Sequence, residues 1–390
     1  MLVYLLFILS PIATTIGYSI YIWDSKEFSV KRLWTFAILL SLYIALLGST
    51  KELDGDLLEY QDYFLSVPKF DFISFLISFG KEPLYYAYTY ISYYIFAGNW
   101  NIYIISLTFI NYILLSYSVI TIGKKTNSNI RTTITALYIM AFFFQEFAAN
   151  GNLVRQSLAQ SLLVAFFVRY YIEDRKSWWI ALCALCIHTS SLPILGIGLI
   201  PMIKRRFTIK SFSLLLLLLF IFVSIFYIIG DSLSNVPFIG YIFARANNSE
   251  QLLGQDSWQE VTGLQPAMIA LLIILSYMII SIYKKTSKEK IDNNTIVMVN
   301  FNLILIITMV ICNTIGAYYL LLRYFFYVYA FQCTLIAIYL NSSKITCNNI
   351  IRVALIAIII IYFFYNFTHN TFSYIPIIDA IVYPAPVYIL

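Results

Sequence analysis

Apolar residues along this 390-residue chain come in runs separated by short polar stretches. The runs fall at 1–23, 33–49, 84–98, 102–122, 132–149, 157–173, 178–203, 211–230, 265–283, 296–314, 323–341 and 352–367. Most approach the roughly 20 residues that a helix needs to cross a hydrocarbon core. The pattern predicts an all-α, polytopic integral membrane protein. Basic residues orient it, because short loops rich in Lys and Arg stay cytoplasmic. Lys26, Lys31 and Arg32 follow the first run, which places the N-terminus outside. Inner loops then follow at Lys124, Lys125 and Arg131, at Arg175 and Lys176, at Lys204–Arg206 with Lys210, at Lys284, Lys285, Lys288 and Lys290, and at Lys344 with Arg352. Two runs break the alternation. Residues 84–98 read as an interfacial or re-entrant helix within a first outer loop, 50–101. Residues 178–203 have basic loops at both ends and read as a hairpin bent around Thr189–Pro193. About ten full crossings plus that re-entrant hairpin remain, in one transmembrane domain over 1–390, with both termini and the loops 50–101, 231–264 and 368–390 outside.

Composition narrows the class. Hydrophobic residues make up 61% and charged residues 11% of the chain, with 33 Tyr and 31 Phe, which suits interfacial belts and packed helix seams. The net charge of +6 is scattered over short loops rather than gathered on one face, which argues against a nucleic-acid partner. Cys183 and Cys186 have CxxC spacing, but no second pair accompanies them in their apolar run, so they read as buried thiols. No internal repeat of the kind that marks many transporters is visible.

Acids are common outside the inner loops, but cations are few there: Lys51, Lys69, Lys81 and three arginines. The stretch Asn150–Gly151–Asn152–Leu153–Val154–Arg155–Gln156 sits between two apolar runs and delivers Arg155 to the first turn of a helix. Free N–H groups, the positive end of the helix dipole and a guanidinium fork together suit a phosphate. An interfacial arginine that snorkels to lipid headgroups is the plainer reading. Arg323 at the start of a later span and Arg245 in the long loop are the other outer arginines. Arg155 and Arg323 would clamp a diphosphate, with Arg245 free to close over it. Glu82 precedes Pro83, which suits a first helical position, so Glu82 either stabilises the helix start or takes a proton from a sugar hydroxyl. Asp56 and Tyr60, spaced i,i+4, share a helix face. His188 lies mid-run at the expected bend, where it either satisfies free backbone groups or serves catalysis. No metal-ligand spacing surrounds it.

Taken in order, Asp56-x-x-x-Tyr60, Lys81–Glu82–Pro83, Asn152-x-x-Arg155–Gln156-x-x-Ala159 and His188-x-Ser190 resemble the EpsG family, with a weaker echo at Arg323–Tyr324 and Tyr374-x-Pro376. Its members are bacterial exopolysaccharide and O-antigen polymerases of the Wzy type. The resemblance implies a glycosyltransferase of the bacterial inner membrane that joins undecaprenyl-diphosphate-linked repeat units on the periplasmic face. The architecture it implies is similar to that of lipid-phosphosugar (GT-C-like) glycosyltransferases. Asp56, Glu82, Arg155 and His188 are the motif residues, and the roles given to them and to Gln156 are inferences from their chemistry. The reading calls for no cofactor. Its partners are the lipid-linked glycan, the bilayer and a chain-length regulator in the membrane. Two competing functions stay open: a flippase or transporter of the same glycan, which would call for charges along a central path, and an O-antigen ligase or sugar acyltransferase, which shares the arginine logic.

Overall fold

The computed structural model describes residues 2–25, 27–79, 82–208, 210–221, 264–286, 293–315, 318–342, 348–369 and 373–389. They form helices throughout, with no strand among them. In chain order these are α1 (Leu2–Leu9), α2 (Pro11–Trp23), α3 (Val30–Gly48), α4 (Gly55–Ser66), α5 (Phe72–Phe79), α6 (Pro83–Ile95), α7 (Trp100–Lys125), α8 (Ile130–Ala141), α9 (Phe144–Asn152), α10 (Val154–Phe167) and α11 (Trp178–Ile187). There follow α12 (Ser191–Gly198), α13 (Lys210–Ile221), α14 (Pro266–Thr286), α15 (Asn293–Thr314), α16 (Tyr318–Ser342), α17 (Asn349–His369) and α18 (Ile377–Val382). Among the described residues six helices are long and apolar enough to cross a membrane, α3, α7, α14, α15, α16 and α17, and a seventh span arises if the bent pair α8–α9 is one crossing. The chain is therefore a polytopic helical protein.

Several runs read as continuous are divided. Pro11 lacks an N–H and stands at the first position of α2, so the first run is split at Ser10. The run 132–149 bends by 46° between α8 and α9. Helix α6 has 13 residues, too few to span, in keeping with a helix inside the first outer loop. The run 178–203 is broken as expected: α11 stops at Ile187, His188 is extended (φ −154°, ψ 123°), and α12 starts at Ser191. The expected crossing at 211–230 lies partly outside the described residues, as does most of the loop 231–264.

The described residues divide into two compact units, Met1–Ser191 with Ile336–Leu390, and Leu192–Leu335. In the first, α7 packs against both α3 and α10. Its ends are set by polar caps. The Asn99 side chain accepts from the Ile102 N–H at 3.0 Å, and Asn129 likewise caps α8 through Thr132 N–H at 2.7 Å. Gly123 permits close approach of α7 and α8, since a Cβ there would lie 2.6 Å from Thr133 Oγ1. Within this packing Asn111 donates to Glu146 at 3.4 Å, and both residues are buried.

The first outer loop is a small aromatic assembly. Tyr60 and Phe64 of α4, Phe75 of α5 and Tyr85 and Tyr86 of α6 are buried together with Tyr103 of α7, and Phe64 stacks on Tyr103 with ring centroids 4.6 Å apart. Asp71 starts α5 by accepting from the Ser74 N–H at 3.0 Å and its hydroxyl at 2.6 Å, bonds that hold its carboxyl below the usual carboxylate range. The C-terminal segment folds onto the same end. Glu52 N–H donates to Ser373 O at 2.9 Å, Tyr43 to Ala380 O at 3.2 Å and Asn99 to Ile389 O at 3.2 Å. The loops 50–101 and 368–390, both expected outside, are thus joined.

In the second unit α15 is the buried element. Asn300 donates to the carbonyls of Ile203 and Arg205, both at 2.8 Å, and Asn302 donates to Thr334 at 3.2 Å. These bonds tie α15 to the segment after α12 and to α16 without exposing polar groups to lipid.

Candidate active site

Arg155 is the second residue of α10, and only Leu153 (φ −115°, ψ 51°) separates that helix from α9. The stretch expected to be a polar loop is therefore helical up to Asn152. Its small residues serve packing: a Cβ on Gly151 would lie 3.1 Å from Lys51 Cδ. Lys51, with its side chain 1% exposed, pairs with Asp54 beside it.

The Arg155 side chain reaches across to the outer loop. Nη1 donates to Glu82 Oε2 at 2.6 Å and to the Tyr86 hydroxyl at 3.2 Å, and Nε donates to the Tyr60 hydroxyl at 3.3 Å. The guanidinium carbon lies 4.9 Å from the Tyr60 ring centroid and 5.7 Å from that of Tyr85. Rings at these distances favour a cation through their quadrupoles. Nη2 makes no hydrogen bond among the described residues, so one edge of the fork stays open.

Glu82 is the N-cap of α6, and Pro83 takes the first helical position as the sequence suggests. Its carboxylate makes no cap hydrogen bond. It is 3% exposed and turned to Arg155 on one side and to His188 Nε2, 3.7 Å away, on the other. His188 Nδ1 accepts from the Ser190 N–H at 3.2 Å, and the Ser190 hydroxyl lies 2.7 Å from it. An accepting Nδ1 puts the proton of the neutral ring on Nε2, toward Glu82. The break after α11 thus frees a backbone turn that orients the imidazole.

Three residues separated in the sequence, Glu82, Arg155 and His188, therefore meet in one buried ionic cluster walled by tyrosines. The Tyr60 phenol is pushed above its ordinary range by burial, an effect that Arg155 opposes and the Asp56 charge adds to. Burial likewise pushes Tyr86 to about 12. Asp56 itself is exposed on the first turn of α4, one turn before Tyr60. Gln156 is buried on α10, directly after Arg155. Arg323 is half-buried on α16 in the second unit. Arg245 and Lys81 lie outside the described residues. Sequence reasoning missed Tyr85 and Tyr86, which follow Glu82 within one turn of a Pro-started helix. It also missed the Asn111–Glu146 pair, whose signal is an acid inside an apolar run.

The described residues are thus those of a helical, polytopic membrane protein in which a carboxylate, a guanidinium and an imidazole gather at helix ends. The family model for the EpsG family matches residues 31–378, and the chain belongs to that family. No curated protein and no solved structure matches. Family membership places the protein in polysaccharide biosynthesis at a membrane.

Proposed function

We propose that the protein is a glycosyltransferase that polymerises undecaprenyl-diphosphate-linked oligosaccharide repeats into O-antigen or exopolysaccharide at the periplasmic face of the inner membrane. The observation that carries this reading is the Arg155–Glu82 pair, a guanidinium with an open edge gripping a buried carboxylate. The donor diphosphate binds the open edge of Arg155 and competes with Glu82 for the guanidinium. Glu82, released from Arg155, accepts the proton of the acceptor hydroxyl. The acceptor oxygen bonds the anomeric carbon of the donor glycan as the bond from that carbon to the diphosphate oxygen breaks. The negative charge that grows on the leaving diphosphate faces Arg155, where fixed positive charge counts most. His188, oriented by Ser190, turns its Nε2–H to Glu82 and holds the carboxylate in place once Arg155 has moved to the diphosphate. Gln156, next to Arg155 on α10, joins the diphosphate contacts in this scheme, and Asp56 tunes the Tyr60 wall. Donor and acceptor glycan, the bilayer and a chain-length regulator are the partners.

The test is the lipopolysaccharide banding pattern of a deletion strain complemented with the gene. A single repeat on each core without it, and a full ladder with it, supports polymerisation. Cores with no repeat at all would move the assignment to a flippase or a ligase.

A further inference from the structure

At the opposite end of the first unit, the turns α2–α3 and α7–α8 and the start of α17 enclose a cavity of about 390 Å3, within the range of small-ligand sites. Arg131 and Arg352 line it together with Asn129, Asn349 and Ser25, and the carboxylate on its wall is Asp24. Arg131 donates through Nε to Trp23 O at 2.9 Å and pairs through Nη2 with Asp24 at 3.1 Å. Arg352, only 3% exposed, donates to Thr132 Oγ1 at 3.1 Å and to Asn349 Oδ1 at 3.0 Å. Arg32 reaches the rim through Ser25 at 3.0 Å. Thr132 and Asn349 thus orient the Arg352 guanidinium, and the Trp23 carbonyl and Asp24 orient that of Arg131. The first turns of α8 and α17 also bring their positive dipole ends to the same cavity.

We propose that this cavity is a phosphate-binding site, filled by the headgroup of an anionic phospholipid. Two oriented forks and two helix starts match a tetrahedral, multiply accepting anion better than they match a planar carboxylate or a neutral sugar. The lipid is the source because the cavity opens where membrane helices end. Lys31, Arg32, Lys124, Lys125 and Arg131 gather at this end, which makes it the cytoplasmic one by the positive-inside rule. Basic pockets between spans on that side meet a leaflet that carries anionic headgroups. The site is separate from the Arg155 cluster and does not depend on the function assigned there.

The experiment follows the melting temperature of the full chain in phosphatidylcholine nanodiscs as phosphatidylglycerol is added, since a ligand of the native state raises it by mass action. Phosphatidylglycerol should stabilise the wild type. Arg131→Gln and Arg352→Gln should each weaken the apparent affinity roughly tenfold, the effect of one lost charge-assisted bond. Asp24→Asn keeps both arginines and removes the competing carboxylate, so it should tighten binding, and it carries the test if Arg352→Gln fails to fold. Lys125→Gln, an exposed charge at the same end that does not line the cavity, should change nothing. Stabilisation by inorganic phosphate alone, to the same level, keeps the phosphate site and makes its source soluble. The proposal is overturned if neither ligand moves the melting temperature, or if Lys125→Gln weakens the lipid effect as much as Arg131→Gln does.

Discussion

Arg155 has two roles, and single substitutions mix them. It binds substrate in the proposed reaction, and it neutralises Glu82, whose side chain is 3% exposed. Losing a contact that tightens in the transition state costs roughly 3 kcal/mol, or about 100-fold in rate. Removing the partner of a buried charge destabilises by about 3–5 kcal/mol. Arg155→Ala should therefore lower both protein level and chain length. Adding Glu82→Gln should restore the level without restoring the polymer, as judged by immunoblot and by ladder length. Arg155→Lys should also give short chains, because a point charge cannot serve Glu82, Tyr60 and a diphosphate from one planar fork. Lys69→Ala, an exposed cation of the outer loop that Arg155 contacts, should leave the ladder unchanged. Full-length polymer from a well-expressed Arg155→Lys would reduce Arg155 to a structural anchor. The motif residues could be found in the sequence because each is a rare ionisable group beside a helix start or break. Their convergence could not be read there. Nothing in the spacing of Glu82, Arg155 and His188 shows that one carboxylate sits between the other two.

Between helices, the packing depends on a few positions where bulk or a cap is decisive. Gly123→Ala would force its new methyl against Thr133, 2.6 Å away, and overpacking of this kind costs about 1–3 kcal/mol. The double variant Gly123→Ala/Thr133→Ala should recover most of that loss, and a thermal melt in detergent compares the two directly. If Gly123→Ala melts like the wild type, α7 and α8 are not in close contact at this point. Asn99→Ala removes the cap of α7 and also the bond to Ile389, so it should cost about 1 kcal/mol or more. Hydropathy showed the long helices well because a span of 20 apolar residues has few alternatives. It showed their breaks badly. Pro11 marks one break openly. The 46° bend between α8 and α9 falls among Ala141, Phe142, Phe143 and Phe144, where no Pro or Gly signals it. The single-residue break at Leu153 is too short for any pattern of polar residues to reveal, so Asn150–Asn152 read as loop although it continues α9.

For the molecule as a whole, the C-terminal segment reports on topology. The basic turns around Lys31, Lys125, Arg131 and Arg352 meet at one end of the first unit, and the tail meets the first outer loop at the other. Alkaline phosphatase fused after Leu390 should accordingly be active, while a fluorescent protein that matures only in the cytoplasm should stay dark there. Strong cytoplasmic fluorescence would reverse the assignment of faces. Deleting residues 373–390 removes the acceptors of Glu52, Tyr43 and Asn99 together, and should make the loop 50–101 an early target of limited proteolysis.

That tail also sets a clock. Tyr43 and its acceptor Ala380 lie 337 positions apart, and Asn99 and Ile389 lie 290 apart. At a synthesis rate of roughly 5–20 residues per second, tens of seconds pass between the birth of the first outer loop and the arrival of the residues that fasten it. During that interval Tyr60, Tyr85 and Tyr86 have the start of α10 to pack on, but the rim above them stays unfastened. The newborn protein would thus pass through a stage in which its ionic cluster is assembled and its outer rim is still open. A ribosome stalled before Ser373 would hold it there.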